Sequence, residues 1–219
     1  MIHVEDVCKL YTTRYNHVIA LDSVNLHVDQ GEFVIIHGPS GSGKTTLLLT
    51  ISGMLRPTGG RVIIKQNDIY ALPEKKRTSF RARHIGFVFQ MFHLLPYLNS
   101  TENIMLAKGT GAKELQRSAI VQLMNRLHLS QRAYHKPSEL SVGECQRIAM
   151  ARALVSRPDI LLADEPTGNL DLENAAQIIE YLKNFHSNSG TVIMATHGNI
   201  AQQYTDRIIH LKEGRIVPG

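Results

Sequence analysis

The segment Gly38-Pro-Ser-Gly-Ser-Gly-Lys-Thr45 restricts the fold of this chain more than any other stretch. It fits the spacing G-x-x-x-x-G-K-[S/T] at every fixed position. It follows the apolar run Phe33–Ile36 and leads into a helix-like stretch, Thr45–Met54. Strand, glycine loop and helix, in that order, are what this spacing needs to hold a phosphate. The glycines let successive backbone N–H groups curl around an anion, and the positive end of the helix adds to them. The expected cradle is Gly38, Pro39, Ser40, Gly41, Ser42, Gly43, Lys44, Thr45 and Thr46. Lys44 can reach the β- and γ-phosphates of a nucleotide, and the Thr45 hydroxyl suits a Mg²⁺ ion. The competing reading, a glycine-rich turn without a nucleotide, is disfavoured by the flanking strand and helix.

The rest of the pattern fits the same architecture. Apolar runs at Gly86–Phe89, Ile160–Ala163 and Val192–Ala195 read as buried strands, each leading into a polar or glycine-bearing loop. Helix-like stretches at 113–127, 145–155 and 174–186 alternate with them. Such alternation predicts a parallel sheet covered by helices on both faces, with ligands at the carboxyl ends of the strands. Short strands at Ile2–Val7, Asn25–Val28 and Arg61–Ile64 predict an antiparallel layer near the start. Residues 91–155 are strand-poor and helix-rich, which predicts a helical insertion between two parts of the core, 1–90 and 156–219. The segment 207–217 reads as a hairpin turning at Glu213-Gly214.

At 219 residues, with 43% hydrophobic and 20% charged residues, the chain suits a single globular domain with an ample core. The run Leu47–Leu55 is short and interrupted, far from the roughly 18–20 apolar residues that a membrane span needs. The start, Met-Ile-His-Val-Glu-Asp, has no basic or apolar leader region, so no signal peptide is expected. Cys8 and Cys145 form no paired motif and suggest a reduced compartment. The net charge is +5. One basic cluster, Lys75, Lys76, Arg77, Arg81 and Arg83, reads as a solvated helix face, or as a face toward anionic lipid or nucleic acid.

Two further constellations carry chemistry. Ile160-Leu-Leu-Ala-Asp164-Glu165 ends a strand with two acids. Asp164 can hold Mg²⁺, directly or through water, while Glu165, one step on, can act as general base or orient the attacking water. Leu140-Ser-Val-Gly-Glu-Cys-Gln-Arg147 opens a helix, and Ser141 with Glu144 has the spacing of a capping box. By its chemistry alone this is either an ordinary helix start or a set of donors for a phosphate.

In order, the chain has the loop 38–45, Gln90 after a strand, 140–147, Asp164-Glu165, Asn169-Leu-Asp171 and His197. This series resembles the ATP-binding subunits of ABC transporters over essentially the whole chain. The resemblance implies an α/β phosphate-loop ATPase core with a parallel sheet, an antiparallel β layer and an inserted helical subdomain. It implies two copies sandwiching two ATP molecules, with Ser141, Gly143 and Glu144 of one copy facing the nucleotide on the other's loop. It makes Gln90 a contact to Mg²⁺ or water, His197 a γ-phosphate sensor, Tyr11 the adenine-stacking residue with Tyr15 as competitor, and Asp171 an interface residue. The sequence departs from the family pattern at Val142 and Glu144, where Gly and Gln are usual, and at Gly198, where Asp is frequent.

The runs His135-Lys-Pro-Ser-Glu-Leu-Ser and Leu162–Asp171 resemble the lipoprotein-releasing, macrolide-exporting and cell-division branch. Met91–Pro96 would then help couple the site to a membrane partner, or else plug the core. Compared with that branch, the segment 103–119 is short. The implied partners are a second copy and an integral membrane permease, with ATP and Mg²⁺ as cofactors and no nucleic acid. The implied location is the cytoplasm, at the inner face of the membrane. A soluble ABC-type ATPase acting on nucleic acid, a cell-division signalling ATPase, and a phosphate-loop kinase or nucleotide switch are the alternatives.

Overall fold

The computed structural model describes residues 1–12, 16–107, 117–198 and 200–218. Tyr15 and the start of the expected helix at 113 lie outside them.

Three strands with continuous apolar sequence form the centre: β3 (Phe33–His37), β7 (Ile160–Asp164) and β8 (Thr191–Thr196). Their sequences do not alternate because both of their faces are buried. Val34, Ile36, Ile160, Leu162, Ile193 and Ala195 join one apolar cluster. Phe33, Ile35, Leu161, Ala163, Val192 and Met194 join another on the opposite face. With β6 (Ile85–Val88), β9 (Arg207–Lys212) and β10 (Arg215–Val217) they form a six-stranded sheet among the described residues, in the order β10-β9-β3-β8-β7-β6. All its pairings are parallel except that of β10 with β9. The β9–β10 hairpin turns at Glu213 and Gly214, with φ of 48° and 76°. Two successive positive φ values are what a tight two-residue hairpin requires.

The predicted antiparallel layer is present, and its strands are longer than the sequence suggests. β1 (Ile2–Thr12) pairs with β2 (His17–Val28) and with β4 (Gly59–Ile64), and β5 (Asn67–Asp68) closes the edge. Ile2, Val4, Val7, Leu21, Leu26, Val62 and Ile64 face inward and share the first cluster with the main sheet. Their outward neighbours are polar or exposed. β1 therefore extends past the expected Ile2–Val7 and reaches Tyr11.

Six helices surround these sheets among the described residues. α1 (Lys44–Ile51) follows the glycine loop, and α2 (Glu74–His84) leads into β6. α3 (Ser100–Met105), α4 (Arg117–Arg126) and α5 (Val142–Leu154) follow, then α6 (Leu172–Ser187). Ile104, Ile120, Met124, Leu127, Leu129, Ile148, Ala151 and Val155 form a third apolar cluster, shared by α3, α4 and α5. α5 turns its other side, with Met150 and Ala153, onto the main sheet. This arrangement leaves the carboxyl ends of β3, β6, β7 and β8 together at one edge. No helix among the described residues is long and apolar enough to cross a membrane.

Candidate active site

The glycine loop is shaped by three positions that exclude a side chain. Gly41 and Gly43 have φ of 79° and 104°, in the region that L-residues rarely enter. A Cβ on Gly38 would lie 2.1 Å from the Leu211 carbonyl oxygen, and one on Gly43 would lie 2.3 Å from that of Ala20. The loop is thus pressed against β2 and β9. Lys44, only 6% exposed, donates from Nζ to the carbonyls of Gly38 (2.7 Å) and Pro39 (3.0 Å). Its ammonium is 3.5 Å from Glu165 Oε1. A buried ammonium needs such partners, and it stays where a phosphate bound in the loop would meet it.

The two acids sit at the end of β7 in different settings. Asp164 continues the strand. Glu165 leaves it with φ of 44°, its N–H donating to the Ala195 carbonyl at 2.9 Å. That backbone turn aims the two carboxylates differently. Burial pushes the Asp164 carboxyl above its ordinary pKa; the Thr45 hydroxyl and Lys44 beside it oppose this, and the Glu165 charge adds to it. Glu165 Oε1 accepts from His197 Nδ1 at 3.0 Å. Asp164 Oδ1 and Glu165 Oε2 are buried and have no hydrogen-bond partner in the protein. Orphaned buried oxygens are costly. Together with the Thr45 hydroxyl they form a hard-oxygen donor set suited to Mg²⁺ and a water. No group of three or more His, Cys, Asp or Glu side chains forms a metal cage among the described residues.

One cleft of about 300 Å³ has walls that include Ser40, Gly41, Gly43, Lys44, Thr45, Thr46, Gln90, Glu165 and His197, while Asp164 does not line it and lies against Thr45. The far wall is Val18, Ile19 and Ala20 of β2, which the sequence reading missed. The available signal was two adjacent apolar residues, 51% and 59% exposed here, in a strand whose buried positions alternate. Tyr11 is not in the cleft wall. It pairs across the strands with Val18, so the two side chains share a face, and Lys9 Nζ lies 5.2 Å from its ring centre.

Ser141, Gly143 and Glu144 are absent from this cleft. Ser141 caps α5, accepting from the Glu144 N–H at 3.2 Å, and Glu144 Oε2 accepts from the Ser141 N–H at 2.8 Å. Glu144 Oε1 accepts from Arg132 Nε at 2.6 Å. Burial pushes the Glu144 carboxyl up, but Arg132 and Ser141 outweigh it and hold the group below its ordinary pKa. Glu144 is therefore spent on its own helix end and does not point outward as a phosphate ligand. Val142, 49% exposed, occupies the first turn beside it.

The helix start is keyed to the turn after Glu165. Gln146 Nε2 donates to the Pro166 carbonyl at 2.7 Å. Arg147 Nη1 donates to Asn174 Oδ1 at 2.8 Å, and Asn174 donates twice to the Asp171 carboxylate, each at 2.8 Å. A Cβ on Gly143 would lie 2.2 Å from Asn174 Oδ1. Gln146, Arg147 and Asn174 were not singled out from the sequence, because a buried amide bonding across elements leaves no local pattern.

Comparison with known proteins matches this geometry. The family model described as ABC transporter matches residues 21–168. The chain is 41% identical to the lipoprotein-releasing system ATP-binding protein LolD of Syntrophotalea carbinolica, covering 99% of this chain and 96% of that one. It is 37% identical to the macrolide export ATP-binding/permease protein MacB 2 of Aeromonas hydrophila, over 99% of this chain and 34% of that longer one. Among solved structures, a dimeric post-hydrolysis state of the ATP-binding cassette MJ0796 bound to ADP and Pi superposes with a TM-score of 0.91 at 38% identity, covering 100% of this chain and 97% of that one.

Proposed function

The chain belongs to the ABC transporter ATP-binding family, and from that premise we propose that two copies close on two ATP molecules to drive a membrane permease of the lipoprotein-release or macrolide-export type. The observation that carries the reading is the convergence of Lys44, Asp164, Glu165 and His197 on the end of the glycine loop. ATP is hydrolysed there to ADP and phosphate. Glu165 orients a water and takes its proton as the water oxygen attacks the γ-phosphorus and the bond to the bridging oxygen breaks. Lys44 holds the β- and γ-phosphates, and His197, tied to Glu165 through Nδ1, reports on the γ-phosphate. Thr45, Asp164 and Gln90 would hold Mg²⁺, which would supply positive charge to the phosphate oxygens. Tyr11 and Val18 offer a face for the adenine.

The second copy supplies what the cleft lacks. Ser141 and the N–H groups at the start of α5 meet the γ-phosphate bound to the other copy, while Gly143 lets the helix start pack against Asn174. Exposure of this helix start, away from its own cleft, supports the arrangement, as does the dimeric state of the similar cassette. The segment Met91–Pro96 carries the coupling to the permease at the inner face of the membrane. Met91 is 67% exposed, and Arg152 clamps the carbonyls of Phe92 and His93 at 2.7 Å each, which favours a braced surface loop over a core plug.

The test is affinity purification of tagged Glu165→Gln from native membranes with ATP and Mg²⁺. A permease with few spans and a large extracytoplasmic domain is the expected companion. A many-span permease would contradict the branch, and the absence of any membrane protein would contradict the transport reading.

A further inference from the structure

Helix α2 carries Lys75, Lys76, Arg77, Arg81 and Arg83 against one acid, Glu74, and buries none of its residues. Among the described residues, none of these five cations forms an ion pair with a carboxylate. Two are turned inward. Arg77 donates to the Leu72 carbonyl at 3.3 Å and Arg81 to the Gly53 carbonyl at 3.4 Å. Burial, and then the neighbouring Arg77 charge, lower the Arg81 pKa, so the cluster repels itself rather than being neutralised.

The other three point outward. Positions 75, 76, 79, 80 and 83 lie on one helical face. That face forms a wall of an open groove of about 350 Å³, completed by Asn67, Leu72 and His84. The acid nearest in bonding is Asp159, and it is already held by His84 at 2.5 Å and Lys65 at 2.8 Å. Lys75, Lys76 and Arg83 therefore face solvent with no acid to compensate them.

We propose that this face of α2 binds the anionic phosphate headgroups of a membrane surface. Several cations grouped on one surface helix attract an acidic bilayer by about 1 kcal/mol each. The composition disfavours a protein partner, because protein interfaces are poor in Lys and are anchored by aromatic or apolar residues at their centre. Phe80 lines the groove as well, but it packs against the core cluster rather than standing out from the surface. The helix has no apolar outer stripe, so it lies on the headgroups and does not insert. The inference deepens the membrane placement proposed above by naming the lipid chemistry and the surface that meets it.

The test is sedimentation of the purified full chain with vesicles. One set is phosphatidylcholine alone, and the other contains roughly a third phosphatidylglycerol, at about 0.1 M and about 0.5 M salt. Binding to the acidic vesicles at the lower salt is expected, with loss at the higher. Lys75→Gln/Lys76→Gln/Arg83→Gln is expected to weaken binding roughly 100-fold, while ATP affinity in solution stays at the parent value and reports an intact fold. Equal binding to neutral vesicles overturns the proposal, as does undiminished binding by the triple variant. Capture of inorganic phosphate or an oligonucleotide with no vesicle binding also overturns it. Because no permease is present, these outcomes are read independently of the co-purification experiment.

Discussion

The phosphate-loop cleft and the start of α5 are both built around a helix N-terminus, yet they treat their polar groups in opposite ways. In the cleft, Asp164 Oδ1 and Glu165 Oε2 are buried without partners, and Gly43 caps α1 without a side-chain bond. At α5, Ser141 and Glu144 satisfy each other, and Arg132 completes the carboxylate. The cleft keeps its bonding capacity for a ligand and accepts a stability cost. The cap of α5 is finished internally and serves as a rigid edge, although Gln146 Oε1 and Arg147 Nε in the turn behind it are buried without partners. One region does chemistry, and the other is shaped to be presented to a second copy.

The largest effect that sharpens this contrast is at Lys44. Lys44→Ala removes the cation that meets the phosphates. We expect nucleotide affinity and hydrolysis to fall by at least about 100-fold, read by equilibrium binding and phosphate release. Unchanged affinity would remove the loop from its role. Next is Glu165→Gln, which keeps the shape and loses the base. Hydrolysis falls roughly 100-fold or more while ATP affinity remains. Hydrolysis near the parent rate would deny Glu165 its function.

Asp164 tests the stability cost directly. Its pKa is raised by folding, so burial costs the ionised form more than the protonated one. The contribution of the protonated form is present at low pH and is lost as pH rises through the raised value. At neutral pH the ionised group therefore opposes folding. Asp164→Asn is expected to raise the Tm of the nucleotide-free protein by a few degrees, and to abolish the rise that Mg²⁺ and ATP give the parent. A lower Tm without nucleotide would contradict the assignment of burial as the dominant cause.

At the other region, Gly143→Ala forces a Cβ onto Asn174 Oδ1. We expect a loss of about 1–3 kcal/mol in denaturant unfolding, with ATP affinity of the single chain unchanged. The smallest effect is that of Glu144→Gln, which keeps the capping geometry but weakens the bond to Arg132. A loss of about 1 kcal/mol or less is expected, and a loss of nucleotide affinity in the isolated chain would break the contrast.

What could be read from the sequence follows from how locally each feature is determined. The glycine loop, the acids at the end of β7 and the turn at Glu213-Gly214 are fixed by a few adjacent residues, and all lie where their patterns imply. The apolar runs of β3, β7 and β8 announce strands buried on both faces. The full length of β1 and β2 was hidden because their ends, near Tyr11 and Val18, are exposed and lack a clean alternation. α3 was hidden by its shortness, although Asn99 and Glu102 form a capping box that marks its start. The Gln146–Pro166 and Arg147–Asn174 bonds join residues distant in sequence, and only the folded chain brings them together.

The central claim is that the α5 start of one copy completes the cleft of another. The most direct measurement is the mass of purified Glu165→Gln by light scattering, with and without ATP. The account predicts a single-chain mass without nucleotide and twice that mass with ATP, and no doubling when Ser141→Arg is added to a chain that still binds ATP. A protein that binds ATP with full affinity and keeps the single-chain mass would contradict it.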